Sequence, residues 1–269
     1  MAFAGRRVWI TGASSGIGAG LAKAFGAAKA ELILSGRKVA ALEAVAEAAG
    51  GNAEILPFEA TDFDALPAIA ARAGHVDLLI NNAGISQRSL AEDTAMQVYR
   101  TLMEVDFFAP VALTKLVLPQ MLARGDGHIA VVASVAGKVG SPQRSGYCAA
   151  KHAVMGFFDS LRTEVAHRGV RVSTIVPGFV RTEIGARALT GDGSPKGAGE
   201  DDVDAGISPE EAAAIIVPAL ARGEREIPVG AEGGMEMALL DHKRQDPEAL
   251  FDLMEKLGAA VVAKHRAAA

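Results

Sequence analysis

The 269-residue sequence holds a single cysteine, Cys148, so no disulfide can close within the chain and nothing points to an oxidising compartment. A reducing, cytoplasmic setting is the expectation. Aromatic residues are scarce at 5%, while half of all residues are hydrophobic and alanine is abundant. That balance suits helices packed closely on strands of Val, Ile and Leu better than a β-sandwich. No stretch approaches the roughly 18 consecutive apolar residues that a bilayer span requires. The N-terminus runs from Met1 to the apolar Val8-Trp9-Ile10 without a charged leader or a small-residue cleavage site, so neither a secretory signal nor a membrane partner is expected. Basic residues do not dominate either: 27 Lys and Arg stand against 32 Asp and Glu, dispersed among them, which argues against a nucleic-acid partner. The six histidines lack ligand spacing beside cysteines or carboxylates, so no metal is expected.

What is present alternates. Short apolar runs at Val8 to Ile10, Leu32 to Leu34, Ile55 to Phe58, Leu78 to Ile80, His128 to Ala133 and Arg171 to Val176 read as strands. Between them, Ile17 to Ala28, Lys38 to Ala49, Leu66 to Ala73, Met96 to Leu122 and Lys151 to Arg168 carry apolar residues at helical spacing. Repeated strand–helix units imply an α/β fold with one doubly wound parallel sheet, helices on both faces and a ligand at the carboxyl ends of the strands. The length fits one domain over 1–269. Within it, 185–206 is rich in Gly, Asp and Ser and reads as a mobile loop over the substrate. Ser208-Pro209-Glu210-Glu211 predicts a capped helix start, Glu226 to Val229 a last strand placed at an edge by Pro228, and 247–269 a helical tail.

Three patterns carry chemistry. Thr11-Gly12-Ala13-Ser14-Ser15-Gly16-Ile17-Gly18 lies between the first strand and the first helix, where glycines let the backbone turn and approach a pyrophosphate and the helix N-terminus favours its charge. Its spacing, GxxxGxG, also suits a plain tight turn. After the second strand comes Leu34-Ser35-Gly36-Arg37, where many dinucleotide binders carry an acid for the adenosine ribose. An acid would repel a 2′-phosphate. Arg37 offers a planar fork that matches one, with Ser14 or Ser15 adding a hydroxyl, which favours NADP(H) and leaves NAD(H) possible. The alternative for Arg37 is a solvated side chain at a strand end. Third, Tyr147 and Lys151 are four apart and share a helix face, where an ammonium stabilises a phenolate; Ser134 lies 13 residues upstream at a strand end, able to bond the same substrate oxygen.

In this order, TGASSGIG at 11–18, NNAG at 81–84, ASVAG at 133–137, YCAAK at 147–151 and PG at 177–178 resemble the short-chain dehydrogenase/reductase family over residues 6–183. NNAGISQRSL and ALTKLVLPQM resemble its branch of membrane-anchored retinoid and steroid reductases, without their leading anchor. The resemblance implies that Ser134, Tyr147, Lys151 and Asp106 are catalytic. It implies a cofactor site from Gly12, Ser14, Ser15, Gly16, Ile17, Gly18, Arg37, Asn81, Ala83, Gly84, Tyr147, Lys151, Pro177, Gly178 and Thr182. Asn81 otherwise reads as a turn residue and Thr182 as a helix cap. Glu59 falls where relatives carry an adenine-side aspartate, and its role stays open. Asp106 stands where relatives carry an asparagine that braces a helix kink and a water leading to the lysine; ionised, it accepts but cannot donate. It is expected to pair with Lys151 through water or to accept that water in reversed orientation. Homodimers or homotetramers are implied, through the long helices.

The expected reaction is hydride delivery from NADPH to a small, hydrophobic ketone or aldehyde, or the reverse from an alcohol. Cys148 lacks an activating histidine or acid and reads as a packing residue. Ser134 lacks a G-x-S-x-G elbow, which disfavours a hydrolase. A cofactor-sensing binding protein would keep the phosphate turn and need no proton-transfer group, and an NAD-dependent alcohol oxidase would differ in cofactor; titration of the two cofactors separates the latter.

Overall fold

A parallel sheet is built when each strand is followed by a helix that crosses back over it, and the computed structural model, which describes residues 2–268, has that order. β1 (Arg7–Thr11), α1 (Gly16–Ala27), β2 (Glu31–Ser35), α2 (Val39–Ala48), β3 (Ala53–Ile55), α3 (Leu66–Ala73) and β4 (Leu78–Asn81) form the first half. The second half comprises α4 (Met96–Met103), α5 (Ala109–Arg124), β5 (Gly127–Val132), α6 (Ser145–Val165), β6 (Val170–Pro177), α7 (Pro209–Arg222), β7 (Glu226–Val229), α8 (Met235–Gln245) and α9 (Pro247–Ala268). All seven strands pair in parallel, in the order β3-β2-β1-β4-β5-β6-β7.

Successive side chains on a strand point to opposite faces, so continuous apolar strands feed two cores. Val8, Ile10, Leu32, Leu34 and Ile80 pack with Leu21, Phe25, Leu42, Ile216 and Leu220 of α1, α2 and α7. Trp9, Ile33, Leu79, Ile129 and Val131 pack with Ile69, Val117, Val154 and Phe158 of α3, α5 and α6. The only tryptophan, Trp9, is wholly buried, and its indole N–H is satisfied by Ser35 Oγ at 2.8 Å. Helices α1 and α7 approach closely because Gly20 has no side chain: a Cβ there would collide with the Pro209 carbonyl.

The predicted Ser208 cap is present. Its Oγ accepts from Glu211 N at 3.1 Å, Glu211 Oε2 accepts from Ser208 N at 2.6 Å, and Pro209 occupies the first helical position. Pro228 lies exposed in the edge strand β7, as its missing N–H requires. Helix α6 begins at Ser145, six residues before the expected Lys151, and three other features differ from expectation. The ladder of β3 ends at Ile55 rather than continuing to Phe58, because Pro57 interrupts it, although Leu56 N and Phe58 N still donate to Leu34 O and Gly36 O. The run from Met96 is broken by a π-helical turn, Glu104–Phe108. Pro110 cannot donate to the carbonyl of Asp106 four residues back and its ring crowds that group, and the wider turn relieves both. Helix α8 was not foreseen.

The segment 185–206 has little regular structure, as its composition implies, yet it is tied down. Arg88 grips Asp201 with Nε at 2.9 Å and Nη2 at 2.6 Å, Lys196 Nζ adds a contact at 3.3 Å, and the Arg88 and Leu189 backbones bond Leu189 O and Ser86 O. The Arg88 and Asp201 side chains are only 10% and 5% exposed, so solvent weakens this pair little. Asp201→Ala is expected to raise the rate of limited proteolysis within 185–206 by about tenfold while leaving the midpoint of global unfolding nearly unchanged. Cleavage at the wild-type rate would mean that the segment is held by something else.

Candidate active site

The sheet order reverses at β1: the chain leaves it toward β2 on one side, while β4 lies on the other and leads to β5. Loops from the two halves therefore part at the carboxyl ends of β1 and β4, and a cleft of about 690 Å³ opens there. Its floor is the glycine turn. Gly12 and Gly16 have φ of +62° and +55°, a region that side chains disfavour, and a Cβ on Gly12 would lie 2.8 Å from Ala83 Cα. Thr182 seals Gly16 from the opposite loop, its Cγ2 2.8 Å from where a Cβ would stand. Gly18 does not line the cleft; it lets α1 lie against the turn, since a Cβ there would collide with Gly12 O and stand 2.6 Å from Asn82 Nδ2. The N-cap Ser15 makes no side-chain bond to the helix, so the first N–H groups of α1 keep no side-chain partner at the cleft floor.

The end of β4 is stitched to this turn by Asn82. Its Nδ2 donates to Thr11 O at 2.9 Å and Gly12 O at 3.2 Å, while Asn82 N and Ala83 N both donate to Thr11 Oγ1 at 3.0 Å. Asn81 is placed differently from expectation. It is buried, its amide donates to Thr114 Oγ1 of α5 at 3.1 Å, and it does not reach the cleft. Neighbouring side chains at a strand end take opposite sides, so only one of the two asparagines can face the opening. Arg37 lies on the rim and pairs with Glu59 Oε2 at 3.4 Å; with the arginine side chain 72% exposed, this pair is weak and leaves the guanidinium available to another anion. Ser14 Oγ sits on the same rim, 3.6 Å from where a Gly36 Cβ would be.

The same cleft is lined by Ser134, Tyr147 and Lys151. Ser134 follows β5 and caps the short 3-10 helix Val135–Gly137, its Oγ accepting from Ala136 N at 3.1 Å and donating to Pro177 O at 3.4 Å. Tyr147 and Lys151 share one face of α6, the Lys151 ammonium 5.6 Å from the tyrosine ring centre. Lys151 Nζ also donates to Val132 O at 3.1 Å, so the end of β5 holds it in place. Beneath it lies Asp106, outside the cleft lining, with Oδ1 3.8 Å from the ammonium and accepting from Ile85 N at 2.9 Å. The carboxylate thus faces the lysine directly. Burial pushes Asp106 up to about 6, against the pull of Lys151 and of the Ile85 N–H.

Pro177, Gly178, Ala83 and Gly84 line the cleft as expected. Several lining residues were not read from the sequence: Phe179, Glu236 and Leu239 among them. Glu236, mostly buried, accepts from Phe179 N at 3.0 Å and fills the space that the missing side chain of Gly178 leaves. Its helix offers no sequence signal beyond the preceding Gly233-Gly234. Cys148 is buried, and that burial raises its thiol above the ordinary range, so it is a packing residue rather than a nucleophile. A glycine floor that any Cβ would fill, an uncapped helix N-terminus and a rim arginine are fitted to a dinucleotide with its pyrophosphate on α1.

A model of the short chain dehydrogenase family matches residues 6–192. Dehydrogenase/reductase SDR family member 7B of Mus musculus is 40% identical over 231 residues, 82% of this chain and 72% of its own length. The Danio rerio protein of the same name is 41% identical over 239 residues, 84% and 77% of the two chains. Among solved structures, a short chain dehydrogenase from Burkholderia cenocepacia J2315 in complex with NADP is similar at a TM-score of 0.80 and 26% identity, covering 94% of this chain and 99% of its own. No helix among the described residues is long and apolar enough to cross a membrane.

Proposed function

Because the chain belongs to the short chain dehydrogenase family of oxidoreductases, we propose that it interconverts a carbonyl and an alcohol on a small, hydrophobic substrate with NADP(H) as cofactor. The observation that carries this reading is the placing of Tyr147, Lys151 and Ser134 in the same cleft as the glycine turn. The turn at Gly12 and Gly16, with Ser14, Ser15 and Ile17, would hold the pyrophosphate, and Pro177, Gly178 and Thr182 would flank the nicotinamide. When bound, that cofactor supplies or accepts the hydride. Tyr147 gives the substrate oxygen its proton in reduction and takes it back in oxidation. Ser134 donates a hydrogen bond to the same oxygen and fixes its direction. Lys151, held by Val132 O, carries the positive charge that stabilises the phenolate once the proton has left. A panel of aldehydes and ketones scored by loss of NADPH absorbance tests the reaction, and silence across apolar carbonyls with both cofactors would end it.

Preference for NADP(H) rests on Arg37, on the absence of an acid directly after β2, and on the NADP bound by the Burkholderia cenocepacia protein. Glu59 favours the second reading, NAD(H), to the extent that it occupies the guanidinium. Arg37→Ser is expected to weaken NADPH binding about tenfold, the worth of one charge-assisted phosphate contact, and to leave NADH within about twofold. Equal losses for both would remove Arg37 as the discriminating group. The lone, buried Cys148 suits a reducing cytoplasm, and assembly into homodimers or homotetramers through α4 to α6, where Phe108 is exposed, is read by sedimentation.

A further inference from the structure

Asp106 lies in the π-helical turn with its side chain fully enclosed. Oδ1 has two partners, the Ile85 N–H and the Lys151 ammonium, and Oδ2 is buried with no hydrogen-bond partner among the described residues. Room for this meeting comes from Gly84, where a Cβ would stand 2.8 Å from Oδ1 and 3.4 Å from Lys151 Nζ. Helices α4, α5 and α6 carry further charged or titratable groups, Tyr99 and Arg100, Lys115 and Arg124, and Cys148, His152, Asp159, Arg162 and Glu164, with Glu104 in the turn itself; among the described residues none of these forms an ion pair or hydrogen bond with Asp106, and Tyr147 lies on the α6 face beside Lys151. One ammonium therefore stands between a buried carboxylate and a phenol.

We infer that Asp106 is a positioning residue whose carboxylate shares the Lys151 charge and so weakens the pull of that ammonium on Tyr147, extending carbonyl reduction to higher pH than a neutral side chain at 106 would allow. The inference rests on the proposed reaction and adds a control to it. A negative charge 3.8 Å from the ammonium, in an interior that screens little, cancels part of the field that Lys151 exerts on the phenol. Burial holds the Asp106 carboxyl near 6, so the cancellation operates at neutral pH and is released as the medium turns acid. Carbonyl reduction, which needs the phenol protonated, extends to higher pH in consequence.

The test is Asp106→Asn, which keeps the shape and the acceptor for Ile85 N while removing the charge. The alkaline limb of carbonyl reduction with NADPH, and the rising limb of alcohol oxidation with NADP, are both expected to move down by about one pH unit. Superposed limbs in both directions, with turnover intact, would overturn this inference and leave the proposed reaction standing. A second readout needs no turnover: urea unfolding of both proteins across the acid and neutral range. Because the folded carboxyl is raised from 3.8 to about 6, its contribution to stability is fully present below 3.8 and is lost as pH rises through 6. The stability of the wild type relative to the Asn variant should therefore fall over that interval and stay level above it. A difference that does not change with pH would mean that no buried carboxyl titrates at 106, which also overturns the inference. Absence of turnover in both proteins, beside the expected stability difference, would overturn the proposed reaction and this inference with it.

Discussion

Tyr147→Phe should abolish nearly all turnover while the protein continues to bind NADPH. The substitution keeps the ring and its packing against Val98 and Leu102, and Tyr147 is 9% exposed, so the fold has little to gain or lose from one oxygen at the cleft wall. What goes is the only proton donor on α6 that lines the cleft beside Lys151, and general acid–base catalysis of this kind contributes about 10²- to 10⁴-fold. The loss should appear in kcat and in kcat/KM alike, because the hydroxyl acts on charge that develops in the transition state. Cofactor titration should stay within about twofold of wild type, since the glycine turn proposed to hold the pyrophosphate is built from other residues and the ring keeps its neighbours. Turnover retained within tenfold, with the cofactor still bound, would remove Tyr147 from the chemistry.

Gly18→Ala should cost about 1–3 kcal/mol of stability, the price of overpacking, and weaken cofactor binding by about a hundredfold. The new methyl would meet Gly12 O, Asn82 Nδ2 and, at 3.0 Å, Ala13 Cα. Two of these are backbone and the third is bonded to backbone, so none can rotate aside; the glycine turn itself must move. A small displacement matters because the turn binds through backbone groups whose positions are their only specificity. Gly140→Ala is the control. Unlike Gly18 it lines the cleft itself, yet a Cβ there meets nothing within 4 Å, and both stability and affinity should remain close to wild type. Equal behaviour of the two variants would mean that close approach at Gly18 is not what shapes the cradle.

The parallel sheet and most of its helices were legible because each strand–helix unit announces itself locally through apolar runs, helix formers and the glycines between them. Ser208 to Glu211 and Tyr147 to Lys151 belong to the same class, since the spacing of residues on one helix turn is known before any tertiary contact forms. Contacts between distant segments were not legible. Which of Asn81 and Asn82 faces the cleft depends on how β4 is rotated between β1 and β5, and the dipeptide alone does not say. The direct approach of Asp106 to Lys151 spans 45 residues and depends on the extra width of the π-helical turn, so a water was expected between them. Pro110 was visible, but a proline can kink, break or widen a helix, and the choice is made by packing. Helix α8 escaped notice because its buried members, Glu236 and Leu240, include a charged residue whose burial makes sense only against Phe179 N and Gly178.

The Asn82 stitch has a kinetic consequence. Four hydrogen bonds join the ends of β1 and β4, so the wall proposed to receive the dinucleotide has no seam along which to open. Motions that admit substrate and let product go must then fall to the other wall, to the strap fastened by Arg88 and to α8 and α9. Amide exchange in deuterated water would record this as slow exchange at Asn82 and Ala83 and faster exchange through 185–206, an asymmetry that fits a dinucleotide left seated while one small molecule replaces another.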